Sequence, residues 1–98
     1  MGQNKAVIMH PADNVATAVV DLTAGVEVCL ILNGEEKAVL LKDNIPFGHK
    51  FALNNIALAA RVMKYGESIG AASMGIEEGE HVHIHNMVGL RGRGDLQM

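Results

Sequence analysis

Val26-Glu27-Val28-Cys29-Leu30-Ile31-Leu32-Asn33-Gly34-Glu35 is the stretch that decides the fold. Val26, Val28, Leu30 and Leu32 alternate with Glu27, Cys29 and Ile31, the period of a strand whose two faces meet different surroundings. Asn33-Gly34 follows at once, a pair suited to a type I′ turn because both turn positions need φ above zero. The return strand runs from Glu35 to Leu41, so a hairpin is expected over residues 26–41. Cys29, set in this apolar strand, is expected to be a small core or half-buried residue. No histidine lies beside it in sequence to activate the thiol.

Upstream, Ala6-Val7-Ile8-Met9 and Val15-Ala16-Thr17-Ala18-Val19-Val20 read as buried strands, separated by a His10-Pro11-Ala12-Asp13-Asn14 turn. A weak internal repeat links the rest. Leu22, Gly25 and Val28 stand three residues apart, as do Ile45, Gly48 and Phe51, and Ile76, Gly79 and Val82. Ile56, Ala59 and Val62 form a fourth copy with alanine at the centre. Each copy predicts a turn with a left-handed residue that launches a strand, while the leading apolar residue plugs the core. Uneven spacings of 23, 11 and 20 residues exclude a solenoid and point to a coiled, barrel-like, all-β domain of short strands. The alanines of residues 52–63 favour a helix, but Asn54-Asn55 and the repeat register favour a turn followed by a strand, which is the preferred reading.

Ninety-eight residues make one domain. Aromatic side chains are three in number, so small aliphatic residues must fill the core. A net charge of −3, with no basic stripe and no stacking platform, excludes a general nucleic-acid binder. A single cysteine excludes an internal disulfide and suits a reducing compartment. No apolar run exceeds five residues, so neither a spanning helix nor a signal-peptide core is visible, and a cytoplasmic protein is expected.

Gly48-His49-Lys50 places an acid–base group and an ammonium side by side at a strand-launching turn, where an exposed polar turn is the bland alternative. In His81-Val82-His83-Ile84-His85, a strand would turn Val82 and Ile84 to the core and the three histidines to the other face. Adjacent members of such a row can share one metal ion, the pair His83 and His85 being the expected ligands. A solvent or interface face tuned by protonation is the alternative. Lys64-Tyr65-Gly66-Glu67 reads as a β-turn with Tyr65 shielding the core edge, or as a lysine and phenol aimed at a ligand. Asp13-Asn14 reads as an Asx-type turn or a ligand contact. Arg91-Gly92-Arg93-Gly94-Asp95 reads as a flexible arm that orders against a partner or anion.

Four elements taken together resemble the N-terminal region of the altronate/galactarate dehydratase family. They are Asp13-Asn14-Val15-Ala16, Ile45-Pro46-Phe47-Gly48-His49-Lys50-Phe51-Ala52-Leu53, Val62-Met63-Lys64-Tyr65-Gly66-Glu67-Ser68-Ile69-Gly70 and Gly79-Glu80-His81-Val82-His83-Ile84-His85-Asn86. The resemblance runs from about Ile8 to Asn86, in order and in spacing. It implies an SAF-type β-clip domain over residues 1–90, followed by a flexible tail over 91–98. It also implies a small subunit that dehydrates a sugar acid to a 2-keto-3-deoxy acid beside a large catalytic subunit. His49 and Lys50 would be the catalytic pair, and Asp13, Asn14, Lys64 and Tyr65 would bind substrate. A divalent metal, iron or manganese, would be held by the large subunit; a related branch that lacks the triple histidine argues against its being held here. The alpha subunit of a sulfolactate sulfo-lyase is an alternative, as is a ligand-binding or assembly module without catalysis. Neither nucleic acid nor membrane is an expected partner, while homo-oligomerisation stays open.

Overall fold

The computed structural model describes residues 5–89, so the tail expected over 91–98 lies outside the described residues. Nine strands run through it: β1 (Ala6–Val7), β2 (Val15–Ala18), β3 (Glu27–Leu32), β4 (Glu35–Leu40), β5 (Lys50–Ala52), β6 (Arg61–Lys64), β7 (Glu67–Ala72), β8 (His81–Val82) and β9 (Met87–Gly89). All pairings are antiparallel, in sheets of order β1-β2-β5-β8, β3-β4 and β6-β7-β9. The described chain is all-β, and none of its segments is a helix long and apolar enough to cross a membrane.

The hairpin forms as expected. Leu32 pairs with Glu35 across Asn33 and Gly34, whose φ values of 55° and 82° are those of a type I′ turn. Val28 and Leu30 are buried. Cys29 is not: it is exposed, because the alternation that buries its neighbours turns it outward with Glu27 and Ile31. Residues 52–63 run from the end of β5 through a turn into β6, with no helix.

The repeat is the frame of the fold. Leu22 and Ile45 exchange backbone hydrogen bonds of 2.8 and 2.9 Å, and Ile56 and Ile76 exchange bonds of 2.7 and 2.8 Å. Gly25, Gly48, Ala59 and Gly79 all have positive φ, at 91°, 85°, 72° and 89°. Their amides donate to Leu41, Ala18, Ala72 and Ala52 carbonyls at 2.8 to 2.9 Å, tying every turn to the end of a strand. The residue before three of the four anchors adds a bond that the sequence reading did not anticipate. Asp21 Oδ1 accepts from Phe47 N, Asn44 Oδ1 from Ala24 N, and Asn55 Oδ1 from Glu78 N. The fourth such position is Gly75, which has no side chain to offer.

Two cores lie on either side of the central sheet. Phe51, Leu53, Ala16 and Ala18 enter one with Leu22, Leu41 and Ile45. Val15 and Ala52, pointing the other way, enter the second with Ile56, Val62, Ile76 and Val82. β5 is thus gripped from both faces.

A substitution at Gly48 meets open space, whereas a Cβ at Gly79 would run into the Leu40 carbonyl oxygen. Both carry the left-handed penalty, so Gly48→Ala should cost about 1–2 kcal/mol and Gly79→Ala about 3–5 kcal/mol in urea unfolding. Equal costs at the two sites would contradict the packing of the 79 turn.

Candidate functional site

The Gly48 turn delivers His49 one residue before β5, with its amide bonded to Pro46 O and its carbonyl accepting from Ala18 N. β8 lies along the other edge of β5, and Phe51 pairs with His81. Alternation puts His49, Phe51 and His81 on one side of the sheet. Nδ1 of His49 lies 2.9 Å from Nε2 of His81, a hydrogen bond whose donor depends on the tautomer. The His83 ring stacks on both, with centroids 4.6 Å from His49 and 5.3 Å from His81. Asp43 accepts the His81 amide at 3.0 Å and fixes the backbone there.

β8 ends at Val82, earlier than expected. Asn86, buried, donates to His81 O at 2.8 Å and accepts from His83 N at 3.0 Å, which closes a turn. Ile84 therefore sits at the turn's tip with 82% exposure, and not in the core as period-two alternation predicted. The same turn changes the metal-ligating set. One nitrogen each from His49, His81 and His83 lies within 4.8 Å of the others, forming a group that could hold an ion. Of the expected pair, His83 belongs to this group of three and His85 does not. The His85 ring stands beside that of His81, centroids 5.5 Å apart. The 32-residue separation of His49 and His81 hid their partnership in the sequence. The available signal was their placement one and two residues after the repeat glycines Gly48 and Gly79.

Lys50 faces the other way, paired with Thr17 on one neighbour and Val82 on the other. Burial, and then the charge of Lys64, lower the proton affinity of its ammonium. Neither lysine has an ion-pair partner among the described residues, where the ion pairs are Lys37 with Glu78 and Lys42 with Glu77.

Asp13 and Asn14 prove to be long-range fasteners, not a local Asx turn. The buried Asp13 carboxylate accepts from Tyr65 N at 3.0 Å and Gly66 N at 2.8 Å. Asn14 accepts from Met63 N at 2.8 Å and donates to Arg61 O at 3.0 Å. Together they hold the Lys64-Tyr65-Gly66-Glu67 turn, with φ of 60° and 75° at its centre. Tyr65 does not shield the core edge; it is 61% exposed, with Lys64 Nζ 5.2 Å from its ring centroid. Of the four residues expected to bind substrate, Lys64 and Tyr65 are therefore free to meet a ligand, and Asp13 and Asn14 position them.

The sequence that builds these turns and side chains matches a known family. The description "Altronate/galactarate dehydratase SAF domain" covers residues 4–90. The chain belongs to this family. Its SAF domain is 46% identical over 78 residues to an altronate dehydratase of Escherichia coli (strain K12), spanning 80% of this chain and 15% of that relative. An altronate dehydratase of Bacillus subtilis (strain 168) is 40% identical, with the same coverage. A (2R)-sulfolactate sulfo-lyase subunit alpha of Chromohalobacter salexigens is 38% identical over 86 residues, covering 82% of this chain and 89% of that relative. The SAF domain thus spans about a seventh of the dehydratases it matches and nearly all of the sulfo-lyase subunit.

Burial first, and then the neighbouring imidazoles His49, His83 and His85, lower the proton affinity of His81, with Asp43 opposing. His83 is lowered by burial and then by His49, Lys50 and His85. The unfolded chain therefore takes up protons more readily than the folded one, and stability falls as pH drops through the ordinary histidine range of about 6.5. In metal-free buffer, thermal melts between about pH 7.5 and 5 should show this loss. It should be smaller in a His81→Gln, His83→Gln double variant; equal slopes in both proteins would contradict it.

Proposed function

We propose that this SAF domain is the small component of a hydro-lyase that dehydrates a sugar acid to a 2-keto-3-deoxy acid together with a large catalytic subunit. The observation that carries the reading is the pair of unpaired ammonium groups, Lys50 and Lys64, with Lys50 close enough to His83 to lower its proton affinity. Two like charges near each other are unfavourable until an anion joins them, which suits the carboxylate of a sugar acid.

Dehydration removes a proton α to that carboxylate and expels the β-hydroxyl as water. Lys50 and Lys64 would hold the carboxylate, with Tyr65 as a wall beside Lys64. The imidazoles at His49 are suited to proton transfer to the departing hydroxyl. A divalent metal, iron or manganese, would supply Lewis-acid stabilisation of the enediolate, and we assign that ion to the large subunit. Docking of the SAF domain over the cleft would exclude water and strengthen each polar contact.

A second reading has the length of the sulfo-lyase subunit alpha in its favour, since that relative is matched over 89% of its own chain. Its elimination would expel sulfite in place of water. Assays with a panel of sugar acids and with (2R)-sulfolactate separate the two.

The chain alone should turn over none of these acids, and activity should appear on co-expression with a large subunit; robust turnover by the isolated chain would contradict the proposal. In the assembled enzyme His49→Ala should lower kcat by about 10²–10⁴-fold. Lys50→Ala should mainly raise KM, by about 10–150-fold for a lost charge-assisted hydrogen bond. Neither variant should lower the melting temperature appreciably, because removing Lys50 relieves a half-buried charge. Full activity in both variants would end the catalytic reading.

A further inference from the structure

We infer that His49, His81 and His83 form a binding site on this chain for one divalent first-row transition-metal ion such as Zn²⁺, Fe²⁺, Mn²⁺ or Co²⁺. The site is separate from the ion assigned above to the large subunit and does not depend on the dehydratase reading.

Two nitrogens bound to one ion at ~2.1 Å lie ~3.0–3.4 Å apart, from cis-octahedral to tetrahedral geometry. Here one pair is already 2.9 Å apart, and all three nitrogens fall within 4.8 Å. His83 stands on the turn after β8, and rotation of its side chain would draw its nitrogen towards the other two. The approach of His49 to His81 is fixed by backbone: the Gly48 turn and the pairing of β5 with β8 set one, and Asp43 and Asn86 set the other. Three imidazoles that converge with no carboxylate among them favour borderline transition ions over Mg²⁺ or Ca²⁺, which prefer oxygen ligands. Three protein ligands leave coordination positions open, the pattern of a reactive site and not of a closed structural one.

With an ion bound, His49 is a ligand, so loss of turnover in His49→Ala fits either role and only a binding measurement distinguishes them. Co²⁺ is titrated into the untagged, metal-free 98-residue chain while the visible bands of nitrogen-bound cobalt are followed, and calorimetry with Zn²⁺ gives the stoichiometry. One ion per chain is expected. His49→Ala, His81→Ala and His83→Gln should each weaken binding by more than the about 10–100-fold that outer-sphere partners are worth. His85→Ala should leave it within a few-fold, and circular dichroism should show each variant folded. Absence of saturable one-to-one binding would overturn the site, as would equal weakening by His85→Ala or no weakening by the three ligand variants. Because no substrate or large subunit is present, failure here leaves the turnover proposal standing, and failure of turnover leaves this site standing.

Discussion

The fold depends on four backbone amides at residues of positive φ. Gly25, Gly48, Ala59 and Gly79 each donate to a carbonyl at the end of a strand, and the apolar residue three positions earlier is bridged to a partner anchor. A chain with so few aromatic residues cannot rely on a large core to hold short strands in place. Tight turns, hydrogen-bonded at both ends, supply the order instead. Ala59 shows how strongly the frame is imposed, since an alanine adopts the left-handed conformation there against an intrinsic preference of roughly 1–2 kcal/mol.

This frame determines where polar groups can gather. β5 is only three residues long, yet it carries Phe51 into one core and Ala52 into the other. With both faces committed, its backbone cannot rotate, and Lys50 and His49 leave it in fixed directions. β8 pairs along one edge and brings His81 beside His49; the Asn86-closed turn swings His83 onto the same stack. On the neighbouring β6-β7 turn, the buried Asp13 carboxylate holds Lys64 and Tyr65 outward. Residues distant in sequence thus converge through hydrogen bonds that no local propensity encodes.

That division explains what was legible beforehand. Asn33-Gly34 and the recurring anchor–glycine spacing depend on local backbone needs, so the hairpin, the turns and the all-β class could be read directly. The outward face of β3 could have been read as well, because Glu27 and Ile31 share Cys29's side, but its apolar neighbours weighed more. Ile84 misled because alternation holds only while a strand lasts, and a side-chain cap at Asn86 ends it at Val82. Asp13 and Asn14 were seen as polar turn residues; their partners, at positions 61 to 66, were not visible without strand pairing. The meeting of His49 with His81 follows from which turn-launched strands lie side by side, a fact of topology and not of periodicity.

At the centre of the functional account stands the surface around β5 and β8, with His49, His81 and His83 on one side of the strand and Lys50, near Lys64, on the other, which we propose meets an anionic substrate inside an assembled enzyme. A structure of the chain in complex with a large dehydratase subunit and a bound sugar acid tests this most directly. The account predicts that surface turned into the subunit's cleft, with Lys50 Nζ at about 2.7–2.9 Å from the substrate carboxylate. The same surface turned to solvent, with the acid bound wholly by the large subunit, would contradict it.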